Sequence, residues 1–259
     1  MAARLTVAAL GAALALTACR HAGHAGEAPR PAANDPVAIA AAPDRTEADR
    51  TLDAGRHPAE FLAFLDLRPG MRVAELAAGG GYTTELLARA VAPGGVVYAE
   101  NNQVVLGFAG EAWKGRLARP AMAGVVRVDR ELESPLPPEA VSLDAVVMNA
   151  FYHDTVWLKT DRAAMNRAVL ASLKPGGAFV VIDSSAKAGT GTADAQTLHR
   201  IDEAVVRDEV LAAGFKLAAE APFLRNPDDA RDWNASPPAA AAAGKRGTSD
   251  RFVLRFVKP

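Results

Sequence analysis

The chain has 259 residues, 50% of them hydrophobic, with 29 basic against 30 acidic residues. A charge balance near zero, with no basic stripe and no interleaved aromatics, argues against nucleic acid as a partner. The single cysteine excludes an intramolecular disulfide, and the length suits one α/β domain with a substantial core.

In chain order, Met1 to Arg4 form a short basic head, and residues 5–18 are apolar. That run is too short for a membrane span of about 20 residues, so it reads as a targeting signal. Leu16-Thr17-Ala18-Cys19 resembles the lipobox of bacterial lipoproteins. The resemblance implies cleavage before Cys19, its acylation, a lipid anchor in the membrane, and a domain in the cell envelope facing the periplasm or exterior. Residues 20–44 are Ala, Pro, Gly, His and scattered charge without periodicity, the composition of a flexible tether. His21 and His24 lie there without further ligands, so no metal is expected. The folded domain is expected over residues 45–259.

Pro58 suits a first helical turn, and Phe61, Leu62, Phe64 and Leu65 give the following helix an apolar face. Arg68-Pro69-Gly70 turns the chain into a strand over residues 71–76. That strand ends in Glu75-Leu76-Ala77-Ala78-Gly79-Gly80-Gly81-Tyr82, and an amphipathic helix follows over residues 82–91. Glycines between a strand and a helix let a ligand approach the backbone closely, and the helix amides face it. The G-x-G-x-x-G spacing of dinucleotide binders fails at Thr84, and no Lys-Ser or Lys-Thr completes a phosphate loop. The pattern instead resembles the first motif of the class I S-adenosylmethionine-dependent methyltransferases. Glu75 stands as its acid and Ala77, Gly79 and Gly81 stand at its three glycine positions, the first departing from the pattern.

The later elements extend the resemblance over residues 53–257. Val96 to Glu100 is a β-branched strand ending in an acid, and the family's second motif places such a carboxylate on the ribose hydroxyls of the cofactor. Residues 101–117 read as a helix weakened by three glycines, and residues 124–129 as a third strand whose Asp129 the resemblance places near the adenine. Residues 143–149 are a buried-type strand. Leu173-Lys174-Pro175-Gly176-Gly177 before a β-branched strand to Asp183 is a recurring family feature. A helix is expected from Thr197 through His199 and Arg200 to Ala213, and strands over residues 215–220 and 251–256. The resemblance implies a Rossmann-like, doubly wound sheet of seven mostly parallel strands with an antiparallel last strand. It implies S-adenosylmethionine as cofactor, held by Glu75, Ala77, Gly79, Gly80, Gly81, Tyr82, Glu100, Asn101, Asp129, Arg130 and Asn149. His153 and Tyr152 are then the residues that orient or deprotonate a small-molecule methyl acceptor, while Asp154 is also suited to cap the next helix.

Two other readings use the same residues. A membrane-tethered binding or scaffold protein that keeps the fold without turnover would explain Ala77 and an extracytoplasmic address. A nicotinamide-dependent oxidoreductase is disfavoured by the missing third glycine.

Overall fold

The computed structural model describes residues 1–2 and 35–259; the signal run and Cys19 lie outside the described residues. The chain enters through α1 (Pro36–Ala40), α2 (Glu47–Arg56) and α3 (Pro58–Leu65). Then come β1 (Arg72–Leu76), α4 (Tyr82–Val91), β2 (Val96–Glu100), α5 (Gln103–Leu117) and β3 (Val125–Val128). The second half runs β4 (Leu143–Asn149), α6 (Asp154–Trp157), α7 (Arg162–Ser172), β5 (Leu173–Ser184), α8 (Glu203–Ala212), β6 (Lys216–Glu220), α9 (Pro237–Ala242) and β7 (Arg251–Val257).

The seven strands form one sheet in the order β3-β2-β1-β4-β5-β7-β6. The strands from β3 to β5 pair in parallel, and β7 runs antiparallel to both β5 and β6. The expected architecture is present, with the last strand slotted between two earlier ones. The chain runs from β1 through β2 to β3 on one side and crosses from β3 to β4 on the other side of β1, so the sheet order reverses at β1. That is where open α/β sheets bind ligands.

Period-two alternation builds the two faces. Ala74, Val146, Met148, Phe179, Val181, Phe252 and Leu254 pack into one buried cluster, and Val73, Val97, Val147, Val180, Ile182 and Val253 into the other. Both faces are covered by helices, which is why these strands read as continuous apolar runs rather than alternating ones.

Two expectations change. The tether ends before residue 44, because Asp35 caps α1 by accepting from the Val37 amide and Ile39 is buried in the second cluster. Arg45 then fixes this segment, with Nη1 and Nη2 on Asp53 at 2.6 and 2.7 Å. The helix expected from Thr197 begins only at Glu203, where Asp202 accepts from the Ala204 amide. The intervening turn holds His199 at a φ of 50°.

Candidate active site

The loop after β1 is shaped by neighbours as much as by its own glycines. Ala77, Gly79 and Gly81 take φ values of 52°, 58° and 81°, the left-handed region that glycine enters freely and alanine only at a cost. Glu100 holds Ala77 there, its Oε2 accepting from the Ala77 amide at 2.9 Å. Asn101 grips the next turn from both sides, accepting from the Gly79 amide at 2.8 Å and donating to the Gly79 carbonyl at 3.1 Å. Arg116 Nε donates to the Gly80 carbonyl at 2.6 Å from behind.

The glycines therefore differ in purpose. A Cβ on Gly79 would meet nothing within 4 Å, so this is where the loop opens. A Cβ on Gly81 would come within 2.7 Å of both Trp113 and Arg116, so Gly81 is small in order to pack on α5, a structural reason beside the expected ligand contact. Gly81→Ala should destabilise the ligand-free chain by about 1–3 kcal/mol through overpacking. A thermal midpoint equal to the parent's would refute this packing.

Glu100 is fully buried, and its Oε1 has no hydrogen-bond partner among the described residues. Burial pushes its carboxyl up to about 8 against the pull of the Ala77 amide, helped by the charges of Glu131 and Asp129. A carboxyl raised in the folded state adds stability that is fully present below its unfolded value of 4.5 and is lost as pH rises through about 8. The ligand-free chain should therefore lose stability over that window, and Glu100→Gln should flatten the decline. Parallel pH profiles for the two chains, measured by urea unfolding, would show that no such proton is held.

Glu75 is also buried, with Thr84 Oγ1 donating to it and burial raising its carboxyl to about 7. Tyr82 donates to Asp53 at 2.6 Å and carries the Arg56 guanidinium over its ring at 4.4 Å. Arg56 has no carboxylate partner among the described residues, and burial lowers its pKa while the charges of Tyr82 and Glu75 oppose that shift. Asn149 Nδ2 donates to Thr83 at 3.2 Å, tying the end of β4 to the start of α4. Asp129 pairs with Arg127 at 2.7 Å, and Arg130 turns to the Ser134 carbonyl.

At the carboxyl ends of β4 and β5 the expected pair separates. Tyr152 is fully buried, accepting from Asn166 at 2.9 Å and donating to Glu209 at 2.8 Å. It braces the core and is not positioned to face an acceptor, which corrects the expectation. His153 is held by Asp183, whose Oδ2 accepts from the His153 amide at 2.8 Å and whose Oδ1 lies 2.7 Å from Nδ1. Burial disfavours the imidazolium, but Asp183 and Asp154 override it and raise the ring to about 10, so it is not a free base at neutral pH. Asp154 lies 3.1 Å from Nε2 of His153, and His199 Nδ1 also lies 3.1 Å from that atom.

Asp183 and His199 do not stand out as site residues in the sequence. The one available signal was Asp183, an acid ending a β-branched run at the edge where Glu75 and Glu100 also end theirs.

The model of the protein-L-isoaspartate(D-aspartate) O-methyltransferase family matches residues 31–111, which take in β1, the glycine loop and β2. Among solved structures, a SAM-dependent methyltransferase from Aquifex aeolicus is 16% identical with a TM-score of 0.55, over 87% of this chain and 99% of that one. The glycopeptide N-methyltransferase MtfA complexed with S-adenosyl-L-methionine is 19% identical with a TM-score of 0.53, over 80% and 87% of the two chains. Its complex with S-adenosyl-L-homocysteine gives 18% and 0.53, over 84% and 100%. Taken with the strand order and the reversal at β1, these likenesses show that the chain has the class I S-adenosylmethionine-dependent methyltransferase fold.

Proposed function

We propose that this chain binds S-adenosylmethionine across the carboxyl ends of β1 and β2 and transfers its methyl group to a small-molecule acceptor approaching from the ends of β4 and β5. The observation that carries the reading is the orphaned Oε1 of buried Glu100, beside a loop open only at Gly79. A buried carboxylate oxygen without a donor is costly, and a pair of ribose hydroxyls supplies donors. The free amides at the start of α4 suit the cofactor's carboxylate, and Arg56 adds a guanidinium to that end. Methyl transfer from a sulfonium is direct displacement, for which the protein's main work is alignment of acceptor and methyl group. The family match over residues 31–111 and the cofactor-bound neighbours support the same cofactor. Ala77 reaches its left-handed turn without glycine, which removes one of the sequence features that favoured a non-catalytic scaffold.

The test is calorimetric titration of the full chain with S-adenosylmethionine and S-adenosylhomocysteine, with NAD as control. Binding of both sulfur compounds and not of NAD supports the reading; a folded chain that binds neither sinks it.

We also propose attachment to the envelope membrane through acylated Cys19, which rests on the lipobox resemblance. Fractionation of cells should find the parent chain with membranes and Cys19→Ser in the soluble fraction; the same distribution for both chains would rule the anchor out.

A further inference from the structure

Three groups from two separated segments meet at one point beside the end of β4. His153 Nε2 lies 3.1 Å from Asp154 Oδ1 and 3.1 Å from His199 Nδ1, and His199 Nδ1 lies 3.3 Å from Asp154 Oδ1. The two imidazole planes stand at 77° with centroids 5.2 Å apart, so the rings meet edge to face rather than stacked. Imidazole nitrogens and a carboxylate oxygen all offer lone pairs, and a cation at the centre of this triangle would satisfy all three.

The size of the triangle narrows the cation. Zinc bonds to nitrogen and oxygen of about 2.0–2.1 Å, at tetrahedral angles, separate neighbouring ligand atoms by about 3.3–3.4 Å. Octahedral angles at the same bond lengths would bring neighbours to about 2.8–3.0 Å. The observed sides, 3.1, 3.1 and 3.3 Å, fall between the two sets, so the spacing suits a first-row ion and the donor types choose among such ions. Two imidazoles and one carboxylate are also a donor set for zinc and its neighbours in the first transition row, whereas magnesium and calcium take oxygen. We propose that His153, Asp154 and His199 form a three-ligand site for a divalent transition metal ion, zinc by its donor set, with a fourth position open.

The surroundings fit that use. Asp183, fully buried, lies against His153 Nδ1 at 2.7 Å and also accepts from the Ser184 amide at 2.7 Å. This keeps a proton on Nδ1, so an ion that displaces the Nε2 proton would find that lone pair aimed at it, the outer-sphere carboxylate arrangement common behind ligating histidines. Trp157 Nε1 donates to Asp154 Oδ1 at 2.8 Å and orients the second ligand. The third is held in a left-handed backbone conformation, φ 50°, by its neighbour Arg200, which is buried and donates to the Ser185 carbonyl at 3.0 Å. Side-chain exposure rises from 6% at His153 to 14% at Asp154 and 28% at His199, so the cluster reaches solvent at His199. Three protein ligands with an accessible fourth position are the pattern of a catalytic rather than a structural ion.

One consequence rests on the methyl-transfer reading. An acceptor hydroxyl on the open position would lose its proton to solvent more readily. Its oxygen would then form the bond to the methyl carbon while the carbon–sulfur bond breaks and its electron pair stays on sulfur.

The site is tested on the purified full chain, stripped with a chelator and titrated with Zn2+ and then with Co2+, without cofactor. His21 and His24 can add weak background binding, so the parent is compared with His199→Ala, and with Asp183→Asn as a second variant that keeps all three ligands. The parent should take up one more tight zinc equivalent than His199→Ala, and its Co2+ form should show the intense visible absorption of four-coordinate cobalt. Asp183→Asn should weaken zinc binding by about 10–100-fold. Equal zinc uptake and affinity in parent and His199→Ala, or only the weak absorption of six-coordinate cobalt, would overturn the proposal. A chain that binds zinc but no S-adenosylmethionine would keep this site and lose the methyl-transfer reading, and the reverse result would do the opposite.

Discussion

Above a pH of about 8, where the Glu100 carboxyl is ionised, Glu100→Ala should reduce affinity for S-adenosylmethionine and S-adenosylhomocysteine by about 10²–10⁴-fold while leaving a folded chain, because two hydrogen bonds to a charged group are each worth about 1.5–3 kcal/mol. The residue has two tasks that no neighbour duplicates. Its Oε2 holds the Ala77 amide at 2.9 Å, and its Oε1 is buried and unpartnered. Alanine removes both, and Ala77 is then left in a left-handed turn with its amide unheld. Glu100→Gln separates the tasks, since its amide oxygen can still accept from Ala77 while the charge is gone. We expect the glutamine variant to lose about tenfold, the weight of charge in one such hydrogen bond. The measurement is calorimetric titration of both variants beside the parent, with thermal unfolding to establish that each is folded. Parent-like affinity in a folded Glu100→Ala chain would remove Glu100 from the cofactor site.

Arg200→Met should cost about 3–5 kcal/mol of stability, the range for breaking a buried ion pair from one side. The Arg200 and Asp229 side chains are 0% and 1% exposed, joined at 2.8 Å. The same guanidinium donates to the Ser185 and Trp233 carbonyls at 3.0 and 3.1 Å, and its centre lies 4.7 Å over the Trp233 ring. Methionine fills much of the volume but strands a buried carboxylate and two carbonyls. Asp229 keeps the Trp233 Nε1 and Asp250 amide donors at 2.7 Å each, which limits the loss. Urea unfolding of the variant checks the figure, and a loss under about 1 kcal/mol, the worth of an exposed pair, would show that this cluster does not anchor the turn that carries His199.

Much of the architecture was legible in the residues because it is set by local pattern. The runs Val96 to Glu100, Leu143 to Asn149 and Phe179 to Asp183 are β-branched and apolar, and each is a strand buried on both faces. Glu75 and the glycines could be placed between strand and helix because such a turn needs small residues and positive φ. The start of the domain was misread: residues 35–44 lack periodicity, and what folds them is a single buried Ile39 and the Arg45–Asp53 pair, contacts that depend on distant elements. The helix expected at Thr197 failed for a related reason. Its residues have acceptable helix propensity, but Arg200 gains a buried carboxylate by leaving the helical path, and tertiary pairing outweighs propensity.

The sequence by itself therefore determined the order of the strands, the acid-and-glycine turn after the first strand, and the acid at the tip of the second. Each is a short-range pattern whose physics lies within a few residues. Only the tertiary structure decided which polar atoms are left without partners and which side chains meet. Glu100 Oε1 is an orphan because the fold buries it, Tyr152 is a brace because Asn166 and Glu209 reach it, and Gly81 is small because Trp113 stands behind it. His153, Asp154 and His199 converge because two segments 46 residues apart end at one edge of the sheet. Burial and convergence are properties of the packed chain, and no local spacing encodes them.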